Sequence, residues 1–157
     1  MPGMFYTETK GELARMMPES ECCVLSELSA IARSCGRLEI RQNDGGSDSV
    51  FEIRTESAAS ARKIMAHVRS IFKFKPKVRF THRRGRRSRN QYIVELPYNT
   101  ETLKVLQDLG VVSQKRGGVS LRNGVPWHLL TKQCCLRTYL RGVFLGRGYV
   151  QNPEKEY

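Results

Sequence analysis

Apolar side chains recur three and four positions apart in several stretches of the chain, which is the pattern of helices that bury one face. Four such helices are predicted, over residues 21–35, 58–72, 100–109 and 131–145. Ser57 has the position of an N-cap for the second helix, and Gly36 and Gly110 are expected to end the first and the third. Near the N-terminus, Thr9 and Glu12 have the spacing of a capping box, which predicts a short helix that begins there and ends before the next proline.

Alternation of polar and apolar residues predicts two β-hairpins between these helices. The first joins a strand at residues 37–42 to a return strand through Phe51 and Ile53. The second joins a strand over residues 73–80 to a strand over residues 91–96. Strict alternation in residues 73–80 predicts one face toward the core and one face toward solvent. The core face is Phe74, Val78 and Phe80, and the solvent face is Lys73, Lys75, Lys77 and Arg79.

The resulting order is helix, hairpin, helix, hairpin, helix, which predicts an α+β fold with an antiparallel sheet. Residues 111–125 are interpreted as a linker or loop, and a new strand is expected to begin at Tyr149. No apolar run approaches the ~20 residues of a membrane-spanning helix. The N-terminus also lacks the pattern of a secretory signal. We therefore expect a cytosolic protein with no membrane partner.

Four of the five cysteines form two adjacent pairs, Cys22–Cys23 and Cys134–Cys135, and the fifth is Cys35. Adjacent side chains on a helix point about 100° apart, so such a pair does not chelate one ion in the manner of a C-x-x-C motif. We interpret the cysteines as small buried side chains of a reduced protein and expect no metal and no cofactor.

The positive charge of the chain is concentrated in one block. The formal net charge is +12, and no acidic residue occurs between Glu56 and Glu95, a stretch that contains twelve of the 27 lysines and arginines. Such a block is typical of a surface that binds a polyanion. The alternative is a solvated charged face, although such faces normally mix both signs. The predicted nucleic-acid contacts are Lys73, Lys75, Lys77, Arg79, Arg83, Arg84, Arg86, Arg87 and Arg89.

An internal repeat relates the beginning of the chain to its end. Residues 22–36 align without gaps on residues 134–148. Both predicted helices open with two cysteines, have a small residue at the centre (Ala30 or Gly142) and end at a glycine. Small residues at matched positions allow two helices to cross with their backbones in contact. We therefore expect the two helices to pack closely, within one chain or between two self-associated chains. A partner regulator is the alternative protein contact.

The segment 140–148 resembles the motif helix of LAGLIDADG homing endonucleases. The two Cys-Cys pairs and the block at residues 134–157 are, more specifically, similar to the WhiA family of bacterial regulators. The resemblance implies an αββαββα repeat whose antiparallel sheet forms a saddle in the major groove of double-stranded DNA. It also implies transcriptional regulation linked to sporulation or cell division, and a nucleoid-associated location in the cytoplasm.

The same resemblance divides the chain into two parts. Residues 1–125 are expected to contain an N-terminal helix, the first repeat and a linker, and residues 126–157 to begin an incomplete second repeat. The C-terminal helix-turn-helix domain of the family is expected to lie outside this chain.

In active LAGLIDADG enzymes, the eighth position of each motif helix is an acid that holds the divalent metal for phosphodiester hydrolysis. Those positions are Cys35 and Arg147 here. A thiol is a poor ligand for Mg²⁺, and a guanidinium group does not bind cations. The sequence therefore predicts DNA binding without catalysis, with Arg33, Arg37 and Arg147 as further candidate phosphate contacts.

Two other functions stay open at this point. One is a nuclease with a displaced metal site, for which Glu39 is the nearest acid in sequence. The other is RNA binding, although the outward face of residues 73–79 offers no aromatic ring on which bases would stack. The candidates for contacts to base edges are Gln42, Asn43, Asn90 and Gln91.

Overall fold

The computed structural model describes residues 2–85 and 88–155 of the chain. The helices are α1 (Pro2–Arg15), α2 (Glu21–Cys35), α3 (Ala58–Phe72), α4 (Thr100–Asp108) and α5 (Gln133–Arg147), with a short 3₁₀ turn at Trp127–Leu129. The strands are β1 (Gly36–Asn43), β2 (Gly46–Thr55), β3 (Lys77–Arg83), β4 (Arg89–Pro97), β5 (Val112–Lys115) and β6 (Gly118–Leu121). From α2 to α4 the order is αββαββα, which confirms the predicted α+β fold with an antiparallel sheet.

The main sheet has the strand order β1-β2-β4-β3, and all of its pairs are antiparallel. Phe51 lies opposite Leu96, and Ile53 lies opposite Val94, on the two central strands. All four side chains are fully buried in a core shared with the helices. Because side chains alternate across a strand, the residues between them point to the opposite, helix-free face of the sheet.

Helices α2 and α5 run side by side with their N-terminal ends together. A Cβ atom on Gly142 would lie 2.7 Å from the Cβ of Ala30, which is fully buried. At the other end, a Cβ on Gly146 would lie 2.5 Å from the Cβ of Ser34. The predicted close crossing is therefore confirmed, and it occurs within one chain.

The N-terminal helix is longer than the capping-box pattern predicted. Thr9 lies inside α1, where its hydroxyl donates to the carbonyl of Phe5 four residues earlier, at 2.8 Å. The end of the helix is held from outside, because the ammonium group of Lys63 donates to the carbonyls of Leu13 and Met16. A tertiary contact therefore holds the end of α1.

The interpretation of residues 111–125 as a linker was wrong. Strands β5 and β6 pair there as a hairpin, and Val111 and Val112 are buried in the core. The expected strand after Tyr149 was also wrong within the described residues. A turn forms instead, in which the side-chain oxygen of Asn152 accepts from the backbone N–H of Glu154. Asparagine favours such turns because its side chain substitutes for a backbone acceptor.

The strand predicted over residues 73–80 begins only at Lys77. Lys73 takes a left-handed conformation (φ 60°) and donates its backbone N–H to Arg69, which ends α3. Lys73 and Lys75 therefore lie in the connection that leads into β3. Phe80 is 55% exposed, contrary to the predicted core position, because β3 is an edge strand beyond the cover of the helices. Its ring packs on Tyr92 instead, with 5.2 Å between centroids.

Candidate nucleic-acid interface

The helix-free face of the main sheet is polar and strongly charged. Alternation places charged residues from all four strands on this face, because their neighbours in sequence point into the core. The basic residues are Arg37, Arg41, Arg54, Lys77, Arg79, Arg83 and Arg89, and the acidic residues are Glu39, Asp48, Glu52 and Glu95.

Two buried carboxylates form the centre of this face. Glu52 and Glu95 lie directly opposite each other on β2 and β4, and they are 1% and 5% exposed. Directly opposed like charges destabilise a strand pair unless other charges compensate them. Arg41 supplies this compensation, since its Nη2 lies 2.5 Å from Glu52 Oε1 and 2.6 Å from Glu95 Oε1.

Two further arginines complete the network. Arg79 bridges the same two carboxylates at 3.0 and 2.9 Å, and Arg54 binds Glu52 at 2.6 Å. Hydrogen bonds from Arg41 and Arg79 hold the pKa of Glu95 below its usual value against the effect of burial. Burial raises the pKa of Glu52, but Arg54 and Arg41 outweigh it and the net shift is downward. Both acids are therefore ionised at neutral pH and engaged by arginine.

The structure divides the predicted contact residues into three groups. Arg79 belongs to the carboxylate network, and Arg89 pairs with Glu56 at 3.0 Å. Arg86 and Arg87 lie outside the described residues. The remaining five are exposed, and within the described part of the chain they have no acidic partner within 4.0 Å: Lys73, Lys75, Lys77, Arg83 and Arg84.

The stretch between Glu56 and Glu95, which contains no acidic residue, is also split between two sides of the molecule. Arg62 and Arg69 are exposed on α3, the helix that packs against the sheet from its core side. Lys63 is buried and forms an ion pair with Glu27. A contiguous block in sequence therefore places only some of its cations on the helix-free face.

At the foot of the helix pair, the structure places Cys35 and Arg147 side by side. Arg147 donates from Nε to the carbonyl of Ser34 at 2.5 Å. The Cys35 thiol donates to the carbonyl of Ile31 at 3.1 Å, and burial raises its pKa to about 11. The side chains that replace the two catalytic acids are thus a neutral thiol and a cation.

The other candidate arginines near this site have different partners. Arg33 donates to the carbonyls of Gly110 and Gly124, so it holds the β5–β6 region to α2. Arg37 lies 3.5 Å from Glu39, which also pairs with Arg54 at 3.2 Å. A cleft next to Arg147 is lined by Tyr6, Lys10, Arg54, Glu56 and Arg89 and is therefore rich in cations.

Sequence reasoning missed a buried ion cluster between the helices. Arg141 of α5 donates to both carboxylate oxygens of Glu27 of α2, at 2.7 and 3.2 Å. Lys63 of α3 pairs with the same carboxylate, and His67 lies 3.6 Å from it. The only signal in the sequence was a glutamate on the apolar stripe of α2, a position at which an unpaired acid is rare.

The two cysteine pairs, which the sequence suggests are small buried side chains, meet in one cluster, and the sequence interpretation did not include this contact. The Sγ atoms of Cys22, Cys23, Cys134 and Cys135 all lie within 4.8 Å of one another. Cys23 and Cys135 are buried, and Cys22 and Cys134 are nearer the surface. The 112-residue repeat contained this information, because it placed a cysteine pair at the same end of two helices that pack together.

One family model and several known proteins are similar in sequence to this chain. Residues 21–112 match the WhiA N-terminal LAGLIDADG-like domain family. A "Probable cell division protein WhiA" from Heliobacterium modesticaldum is 40% identical over 153 residues, which is 98% of this chain and 46% of the relative. A protein of the same name from Alkaliphilus oremlandii is 34% identical over 154 residues, which is 98% of this chain and 47% of the relative.

The fold comparison agrees. The crystal structure of the N-terminal LAGLIDADG domain of DUF199/WhiA superposes with a TM-score of 0.56 at 16% sequence identity, covering 93% of this chain and 59% of that one. The fold is thus a LAGLIDADG-like α+β domain, and the chain belongs to the WhiA N-terminal LAGLIDADG-like domain family. It spans about half the length of the curated relatives that it matches. Among the described residues, no helix is long and apolar enough to cross a membrane.

Proposed function

We propose that this chain is the DNA-binding module of a bacterial regulator and that it binds duplex DNA on the helix-free face of its sheet without cutting it. The observation that carries the proposal is the set of exposed cations at the β3 side of that face that have no acidic partner among residues 2–85 and 88–155, above all Lys77, Arg83 and Arg84. Such cations release condensed counterions when they neutralise phosphates, which is the main source of affinity for DNA.

The contacts at the foot of the helix pair support binding without cleavage. Phosphodiester hydrolysis with Mg²⁺ needs oxygen ligands that remain free to coordinate the ion. Cys35 and Arg147 supply none, and Glu39 is engaged by Arg37 and Arg54. The cations around the cleft beside Arg147 favour a phosphate group over a metal ion at this place.

The biological role extends the proposal beyond this chain. The names of the relatives support a role in cell division, and we propose that the chain acts there as part of a nucleoid-associated transcriptional regulator. Residues 126–157 would then begin a second repeat, whose motif helix is α5. An additional role in sporulation follows only from the resemblance to the WhiA family.

A salt series with two matched double variants tests the DNA interface. Arg83→Ala/Arg84→Ala removes two exposed cations next to the sheet face, and Arg62→Ala/Arg69→Ala removes two exposed cations of the same block from α3. Each phosphate contact contributes about 0.9 to the log–log salt slope. We expect the first variant to flatten the slope by up to about 1.8 and the second to leave it unchanged. Equal slopes for both variants would place the interface elsewhere.

Two further measurements separate the alternatives. Supercoiled plasmid incubated with the chain and Mg²⁺ or Mn²⁺ should stay intact, whereas nicking that disappears in a Glu39→Gln variant would establish a displaced nuclease site. Structured RNA should compete more weakly than duplex DNA of equal length. Stronger competition by RNA would favour the RNA-binding alternative.

A further inference from the structure

The two cysteine pairs occupy equivalent positions at the N-terminal ends of two packed helices. Cys22 and Cys23 are the second and third residues of α2, and Cys134 and Cys135 are the second and third residues of α5. All four Sγ atoms lie within 4.8 Å of one another. The cluster therefore lies at the end of the helix pair opposite to Cys35 and Arg147.

We propose that these four cysteines bind a single zinc ion that fastens the second motif helix to the first repeat. Zinc is bound tetrahedrally by four thiolates at about 2.3 Å in structural sites, which places the sulfur atoms about 3.8 Å apart. The four thiols need to close by no more than about 1 Å to reach this geometry. Soft thiolate ligands select zinc over magnesium or calcium.

The pairing of the helices explains how adjacent cysteines serve as ligands. The two side chains of one pair diverge, so each pair spans one edge of a tetrahedron. The internal repeat then supplies the opposite edge from the second helix, since its cysteines occupy the matching positions. The two side chains of a pair must diverge if each pair is to span one edge of the tetrahedron. The same divergence argues against a site that is built from one pair alone.

Two alternative occupants fit the geometry less well. Two disulfides would also use all four sulfur atoms, but each joins its two atoms at about 2.05 Å, which is much shorter than the edge of about 3.8 Å in a tetrahedral zinc site. An iron–sulfur cluster inserts several iron and sulfide atoms between its cysteines. It therefore needs ligands farther apart than a single ion does. The compact cluster of thiols favours one metal ion.

The positive groups around the four cysteines favour the negative net charge that the site would have with zinc bound. A Zn²⁺ ion with four thiolates has a net charge of −2, and both helices direct the positive ends of their dipoles toward it. Lys132 adds a cation at the N-cap of α5. Cys23 and Cys135 pack with Leu130, which shields one side, while the exposed Cys134 leaves a route for the ion to enter. The site would be structural, because four protein ligands leave no open coordination position.

Cobalt substitution of the reduced, metal-free chain tests the proposal directly. We expect one equivalent of Co²⁺ per chain, with thiolate charge-transfer bands and the d–d bands of a tetrahedral ion, and displacement of Co²⁺ by Zn²⁺. An octahedral spectrum, or no uptake by the reduced protein, would overturn the proposal. Mass spectrometry of the unreduced protein would identify a disulfide, and a disulfide found together with failed uptake after reduction would also count against zinc.

Two serine variants locate the ion. Cys134→Ser changes an exposed ligand and should weaken Co²⁺ binding by more than about 100-fold, because outer partners of a metal ligand alone contribute 10–100-fold. Cys35→Ser changes the cysteine at the other end of α2 and should leave affinity and spectrum unchanged. Equal effects of the two variants would contradict the assignment. The wild-type spectrum remains decisive if Cys134→Ser does not fold, and neither readout depends on DNA binding.

Discussion

A Cβ atom on Gly142 would lie 2.6 Å from the backbone carbonyl oxygen of Glu27. Helix α5 therefore approaches α2 so closely that no side chain fits between them at this position. The same approach brings Arg141, the neighbour of Gly142, to the carboxylate of Glu27. One glycine thus makes possible both the helix crossing and the buried ion cluster beside it.

The first prediction concerns that glycine. Gly142→Ala should lower the free energy of unfolding by about 1–3 kcal/mol, because overpacking of a close contact outweighs the gain in helix propensity. Chemical denaturation followed by circular dichroism measures this change. Gly45→Ala is the control, since a Cβ there meets nothing within 4 Å and should change stability little. A stabilised Gly142→Ala variant would contradict the close crossing.

The second prediction concerns the buried ion cluster. Glu27→Gln should lower the free energy of unfolding by about 3–5 kcal/mol, because it leaves buried cations without their carboxylate. Lys63 and Arg141 are the cations affected, and Glu27 and Lys63 have no exposed side-chain surface. Glu101→Gln, on the exposed start of α4, is the matched control. If both variants lose a similar and small amount of unfolding free energy, the buried ion cluster contributes little to stability.

The third prediction follows from the pKa of Glu27. Burial acts to raise this pKa, but His67, Arg141 and Lys63 outweigh it, so the folded-state pKa lies below the usual value of about 4.5. A carboxyl group with a lowered pKa stabilises the fold above its unfolded-state pKa, and this contribution disappears as pH falls through the folded-state pKa. The difference in unfolding free energy between wild type and Glu27→Gln should therefore be constant from pH 6 to pH 7 and narrow below about pH 4.5. If the difference in unfolding free energy between the two proteins does not change below about pH 4.5, the negative charge of Glu27 does not have the proposed stabilising role.

The fourth prediction links the carboxylate network to DNA. Glu52→Gln removes one negative charge from the centre of the helix-free face and frees Arg54, Arg41 and Arg79 from one of their ion partners. We expect a less stable protein that nevertheless binds duplex DNA more tightly, with a salt slope steeper by up to about 1. Fluorescence anisotropy at several salt concentrations measures this. Glu101→Gln should change neither affinity nor slope, and weaker binding by Glu52→Gln would indicate that the network positions the sheet for DNA.

The local chemistry of the chain was sufficient to predict most of its elements. The bounds of α2 came from its apolar spacing and Gly36, and Ser57 caps α3 as predicted, accepting the N–H of Ser60. The hairpins between the helices followed from alternation. Each of these features depends on residues within a few positions of one another, so the sequence alone determined them. The internal repeat also revealed the packing of α2 on α5.

Only the tertiary structure decided which charges are free and which thiols meet. Arg79 and Arg83 have the same residue type and outward direction, but Arg79 lies opposite Ile93 on β4 and reaches diagonally to the next outward residue of that strand, Glu95. Cys22 and Cys134 are 112 residues apart, and their sulfur atoms become neighbours only when α2 packs in parallel against the face of α5 that contains Gly142 and Gly146. Ion pairing and metal geometry depend on distances of a few ångströms between residues far apart in the chain. Periodicity and composition contain no information on such distances, because they describe each segment by itself.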